Sequence, residues 1–153
     1  NDHAAPRFRW EVFIKGGDPK NPDHQADYQG HTDVSPLAAP DNFAFEESGR
    51  LWVATDGMGD ALGVNDGIFA LETQGPERGR ARRFLSCPAG AEVCGPAFTP
   101  DGRTLFVAIQ HPGFGSGVTY EKPESRWPDY RDDMPPRPSV VAITREDGGK
   151  IGT

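Results

Sequence analysis

Short apolar stretches alternate along this chain with polar runs rich in glycine and proline. The first stretch, Phe8–Ile14 (FRWEVFI), puts Phe8, Trp10, Val12 and Ile14 on one face, so the period of two predicts a strand over 8–14. Further strands are expected at about 41–46, 50–56, 67–72, 80–86, 91–98, 103–110 and 139–144. Tight turns join them at Glu47-Ser48-Gly49, over 74–79 and at Pro100-Asp101-Gly102, where Gly, Pro and Asp each suit turn geometry. No segment keeps a helical period for more than one or two turns.

The pattern repeats. PDNFAFEESGRLWVATD (40–56) resembles GPAFTPDGRTLFVAIQ (95–110), with Phe45, Gly49 and Arg50 matching Phe98, Gly102 and Arg103 at a spacing of 53 residues. A hairpin recurring at that spacing marks β-propeller blades, which pack radially in rings of four to eight. The expected fold is therefore all-β. It comprises about two to two-and-a-half blades: the tail of one at 8–14, a four-stranded blade at 40–86 and a blade at 91–145 that lacks its fourth strand. Such a piece is probed for completion by its open sheet edges, so it is expected to be incomplete alone. Its missing strand would come from upstream of Asn1, where the chain opens without Met. Two long loops interrupt the blades, 15–39 and the proline-rich 111–137. Loops of that length are functional or partly disordered insertions.

Composition narrows the functional classes. The 153 residues carry a net charge of −7 and no basic run longer than Arg82-Arg83, which argues against nucleic-acid binding. No apolar run is long enough to span a membrane, and no signal peptide opens the chain. The 19 glycines and 15 prolines fall between apolar runs and read as turns rather than disorder. Cys87 and Cys94 are either a small-loop disulfide or two unpaired thiols, and their spacing does not suit a zinc site.

In a propeller, the entrances of the innermost strands line the channel mouth. These positions hold Asp41 and Asn42 in the first blade and Glu92 to Gly95 in the second. Asp41 is either a turn residue or an oxygen ligand for a hard cation. Glu92 lies among Ala91, Val93 and Cys94, where an unpaired carboxylate is costly to bury, so it needs an arginine or a metal. Asp56 reads as a turn cap. His111 either bonds backbone at the start of its loop or serves as an anion contact, a proton carrier or a metal ligand. Arg50 and Arg103 recur after turn glycines and read as structural, and Trp10, Trp52 and Phe106 read as blade-packing aromatics.

The stretch GAEVCGPAFTPDGRTLFVAIQHPG (90–113) resembles the last blades of the PhoX family of bacterial alkaline phosphatases. So do PDNFAF (40–45), GRLWVATD (49–56), NDG (65–67) and PSVVAI (138–143). The resemblance implies a six-bladed propeller and a secreted or periplasmic enzyme that hydrolyses phosphate monoesters with calcium and iron. It also implies that this chain is the C-terminal part of a longer protein and is inactive without the complementary N-terminal part. On the matching motifs, Asp41, Asn42 and Glu92 fall at metal-facing positions, and His111 stands beside them. The family's iron-binding cysteine lies upstream and is not Cys94. The rival expectation is a non-catalytic propeller segment that binds or assembles with a complementary chain.

Overall fold

The computed structural model describes residues 4–153, so Asn1, Asp2 and His3 lie outside the described residues. Seven strands form two antiparallel sheets. The first blade runs β1 (Pro40–Phe45), β2 (Leu51–Thr55), β3 (Gly67–Leu71) and β4 (Ala81–Ser86), in that spatial order. The second runs β5 (Glu92–Phe98), β6 (Thr104–Gln110) and β7 (Ser139–Thr144). The all-β expectation holds, and every strand from 40 onward falls within a residue or two of its expected place. The only α-helix among the described residues is the single turn α1 (Met58–Leu62).

Alternation along β2 explains how the blades stack. Trp52 and Ala54 face the second blade, where they join Ile68, Val93, Leu105, Val107 and Ile109 in one core. Val53 points the other way and joins Phe69, Leu71, Ala81, Met58, Tyr28 and Leu37 in another. The central strands of the first blade are thus buried on both faces, so they read as nearly continuous apolar runs rather than as alternation. Trp52 is the hinge of the inter-blade core: its ring meets Phe84 at 4.9 Å and Phe98 at 5.2 Å, both edge-on. Its indole N–H donates to Glu46 at 3.2 Å, so its burial leaves no polar group unpaired.

The two innermost strands share an irregularity. The β1–β2 register shifts between Pro40 and Phe43, and the β5–β6 register shifts between Cys94 and Ala97. Such bulges re-aim side chains and cluster beside functional sites. Here they join the blades as well: Asn42 Oδ1 accepts the Gly95 N–H at 3.0 Å, a bond between equivalent positions of the 53-residue repeat.

Two expectations need correction, the strand at 8–14 and the packing roles of Trp10 and Phe106, and two open alternatives, the 15–39 loop and the cysteines, are decided. Residues 8–14 are not a strand. Phe8, Trp10 and Val12 are 85%, 76% and 54% exposed, because strand propensity makes no ladder without a neighbouring strand to pair with. The segment is held instead by the Glu11–Arg78 ion pair and by Arg78 lying over the Phe13 ring at 5.0 Å. Trp10 is accordingly not a packing aromatic, and Phe106 turns its ring to the outer face of the second blade. The 15–39 loop is ordered. Bridges Lys15–Asp27 and Gly17–Leu37 close it, and buried Tyr28 donates its hydroxyl to Gly17 O at 2.9 Å while accepting Leu37 N–H at 2.9 Å. The loop thereby covers the face of the first blade that the second does not reach. Cys87 and Cys94 are both free thiols.

Candidate metal centre

Register places every candidate residue at one rim. Pro40 pairs with Thr55, Ala54 with Ile68 and Glu92 with Gln110, so the starts of β1, β3 and β5 lie beside the ends of β2 and β6. Asp41 enters from the β1 bulge, Asp56 follows β2, Asp66 precedes β3, Glu92 opens β5 and His111 follows β6.

At this rim the carboxylates of Asp41 and Glu92 and the Cys94 sulfur converge, with one ligand atom of each within 4.8 Å of the others. Asp41 is exposed, Cys94 is half-buried and Glu92 is only 8% exposed. The strand period brings Glu92 and Cys94 together: residues two apart share a face, while Val93 between them turns into the core. The Cys94 thiol donates to Glu92 Oε1 at 2.7 Å. Burial, then this bond to a carboxylate, pushes the thiol up to about 12.

Glu92 has found three partners, and none of them is an arginine. Besides Cys94 it bonds the Asp56 carboxyl, and His111 Nε2 lies 3.4 Å from its Oε2. Burial pushes Glu92 up, but the bonds from Cys94, Asp56 and His111 outweigh that and hold its carboxyl below the ordinary value. Asp56 moves the other way. Burial and then the adjacent Glu92, Asp66 and Asp41 carboxylates raise it, so of the Asp56–Glu92 pair Asp56 is the one that keeps its proton to higher pH.

The turn cap expected of Asp56 is made by Asp66. Its carboxylate accepts Thr55 Oγ1–H at 2.7 Å, Gly57 N–H at 3.0 Å and Met58 N–H at 3.0 Å. Asp66 thus pins the segment after β2 and frees Asp56 to face Glu92. Asn42 spends Oδ1 on the Gly95 N–H and acts first as a tie between blades. His111 sits in a left-handed backbone, φ 34°, with Nδ1 3.1 Å from Gly90 O and its ring edge-on to Phe114 at 5.4 Å. Asp56, Asp66, Glu92 and His111 border a cleft of about 630 Å³ together with Asp60 and Glu124, whereas Asp41, Asn42 and Cys94 do not line it. A second cavity of about 580 Å³, lined by Phe13, Phe43, Phe45 and Val53, is apolar and touches the rim only through Asp41 and Asn42.

Asp41 and Glu92 were legible as candidates and do meet. Cys94 was placed at the channel mouth but not as a ligand, and Asp56 was read as a turn cap. The two-residue step from Glu92 was a usable signal for Cys94, whereas the reach of Asp56 across to β5 left no sequence signal.

The family model for alkaline phosphatase PhoX matches residues 1–113. Among solved structures, Pseudomonas fluorescens PhoX in complex with vanadate, a transition-state analogue, superposes with a TM-score of 0.71 at 36% identity. That match covers 92% of this chain and 24% of the solved chain, so this chain spans about a quarter of that protein's length. No curated protein matches the sequence. With the matched region running through the first blade and through β5 and β6 of the second, the chain belongs to the alkaline phosphatase PhoX family.

Proposed function

We propose that this chain is the C-terminal β-propeller segment of a secreted or periplasmic metal-dependent phosphatase that hydrolyses phosphate monoesters. The observation that carries this reading is the convergence of Asp41, Glu92 and Cys94 at the rim of a chain of this family. The donor set suits the calcium the family resemblance implies. Carboxylate oxygens favour calcium, and since the family's iron-binding cysteine is not Cys94, no iron is assigned to its sulfur. Asn42 Oδ1, already accepting one N–H, retains a second lone pair toward the same rim. A cation held here would offset phosphate charge and activate an attacking oxygen. Glu92 is pre-aimed by its three partners, Cys94, Asp56 and His111. The Cys94 thiol must lose its proton before it can bind metal, which makes occupancy pH-dependent.

The same reading requires the complementary N-terminal part of the protein. The exposed strand-forming segment 8–14, the unpaired outer edge of β7 and Val140, 71% exposed on the outer face of the second blade, are surfaces that such a part would cover. They also favour the second reading, a segment used for assembly without catalysis. Glu92→Ala in the complete protein separates the two. We expect lower metal content by elemental analysis and a lower rate of 4-nitrophenyl phosphate hydrolysis. Unchanged metal content and rate would leave the assembly reading. The isolated chain is expected to be inactive in the same assay with added calcium.

A further inference from the structure

We propose that the apolar cavity beside the first blade is the seat of an upstream blade of the complete protein, whose second strand fills it with a large aromatic side chain. The inference rests on the longer protein of the proposed reading and not on its metal centre. Three observations converge on it.

The first is that the chain contains the template of such a seam. In the second blade, Phe98, Leu105, Val107, Val141 and Ile143 form the face that meets Trp52, Ala54 and Ile68 of the first. Register maps this face onto the first blade. β2–β3 pairs Val53 with Phe69 and Leu51 with Leu71, as β6–β7 pairs Val107 with Val141 and Leu105 with Ile143. Phe45 pairs with Leu51 as Phe98 pairs with Leu105. Phe45, Leu51, Val53, Phe69 and Leu71 are therefore the surface on which a preceding blade lies, because stacked repeats meet through equivalent faces.

The second is that this surface is only half covered. Tyr28 and Leu37 of the 15–39 loop close over Phe69, Leu71 and Ala81. Over the inner strands, Phe43 and Phe45 are 66% and 61% exposed, and the cavity of about 580 Å³ opens beside them, Val53 and Phe13. An apolar opening of this size marks a contact surface. Phe98, the counterpart of Phe45, meets the Trp52 ring at 5.2 Å. Among the described residues, the ring beside Phe45 is its strand neighbour Phe43, at 6.2 Å. What the cavity lacks is the ring that Trp52 brings to the internal seam.

The third is that the other end of the chain bears the matching face. Phe106 pairs with Ala142 as Trp52 pairs with Ala70, and Ala108 with Val140 as Ala54 with Ile68. Phe106 and Val140 thus hold the places of Trp52 and Ile68, and both are exposed. Each blade offers an aromatic from its second strand to the blade that follows and a receiving face to the blade that precedes. The repeat that places Trp52 and Phe106 places an aromatic at the same position of the upstream blade. The occupant belongs to the same polypeptide. This chain matches 24% of the solved relative, which leaves length for further blades, and a tethered blade outcompetes a second copy through its effective concentration.

Two measurements on the complete protein test this. The first needs no substitution. Hydroxyl radicals oxidise exposed phenylalanine rings, and mass spectrometry reads the rate at each one. Phe43 and Phe45 are expected to react as slowly as Phe69, which is fully buried. Phe45 reacting as fast in the folded protein as in urea would overturn the proposal. The second captures the occupant. Phe45, and in a separate variant Phe43, is replaced by the photo-cross-linker p-benzoylphenylalanine and irradiated. The expected product keeps the mass of one chain on a denaturing gel and joins residue 45 to a strand-forming peptide N-terminal to Asn1 that carries an aromatic residue. A product of doubled mass, joined to 103–110 or 139–144, would assign the cavity to a second copy and overturn the proposal. A product joined to a different protein would overturn it as well. Intact mass separates this failure from failure of the proposed reading. A protein of 153 residues would remove the N-terminal part and this inference together, whereas a longer protein with an accessible Phe45 would remove this inference alone. Glu92→Ala reads the metal centre independently of both.

Discussion

The two blades are copies of one sequence pattern in different surroundings. In the first, Trp52 on one face and Phe69 on the other are both fully buried. In the second, Leu105 and Val107 are buried, but Phe106 between them is 40% exposed and Val140 on the next strand is 71% exposed. The first blade has a neighbour on each side, the second blade and the 15–39 loop. Among the described residues, the second blade packs its buried face against the first, with Trp127 and Ile151 beside that core, and leaves Phe106 and Val140 exposed on its other face. Pattern determines which residues can be buried on a face; neighbours determine whether they are. The chemistry sits at the seam for a related reason. A carboxylate buried like Glu92 is tolerable only where two blades bring it partners, and neither sheet supplies them all.

The contrast can be broken in four ways. The largest effect is expected at Trp52, which belongs to the inter-blade core: Trp52→Ala should cost about 3–5 kcal/mol in the complete protein by urea unfolding. A loss under about 1 kcal/mol would mean the blades do not depend on this core. Next is the outer face of the second blade. If the rest of the protein covers it, Val140→Ala removes about 1–2 kcal/mol from the complete protein. No change in unfolding would show that this face stays bare. Third, Asn42→Ala deletes the tie between the inner strands and should cost about 0.5–1.5 kcal/mol by the same measurement. A neutral result would show that the blades align without it.

The smallest effect concerns the acidic pair and has a sign that pH reveals. Asp56 is raised above its ordinary 3.8, by burial first and then by Glu92. Its contribution to stability is therefore fully present below 3.8 and is lost as pH rises through the raised value. Glu92 has the opposite sense. Burial pushes it up, its hydrogen bonds outweigh that, and the stability it adds is present above 4.5 and is lost as pH falls through its lowered value. Asp56→Asn keeps a neutral donor beside Glu92 at every pH. In EDTA it should raise Tm at about pH 7 and leave it unchanged near pH 3. A lower Tm at pH 7 would show that the ionised Asp56 stabilises the fold and that its pKa is not raised.

How much of this was legible varies with the range of the interaction involved. Strands β1 to β7 were readable because each is a local run of strand formers between turn residues, and Gly49 and Gly102 take the positive φ that their turns require. The segment 8–14 carries the same local signal and fails as a strand, because pairing is a property of two segments and no second one meets it. The 15–39 loop reads as polar, yet it buries Tyr28 and Leu37, whose hydrogen bonds close across spans of nine and eleven residues. In the site, repeat position and family resemblance were enough to single out Asp41, Asn42 and Glu92. Asp56 looked like a cap because Thr-Asp-Gly is good turn chemistry; the cap is supplied instead by Asp66, brought beside it by the β2–β3 pairing.

By itself, then, the sequence determined the blades, their strands, their turns and the family. These follow from the period of two, from glycine and proline geometry and from contiguous motifs, all of which act over a few residues. Only the tertiary structure decided that Asp41, Glu92 and Cys94 share one rim, that Asp56 is raised while its neighbour Glu92 is lowered, and that His111 faces Glu92. Those outcomes depend on stacking two sheets and on the burial and field that stacking creates, and charges that interact across 3–5 Å of space can be tens of residues apart along the chain.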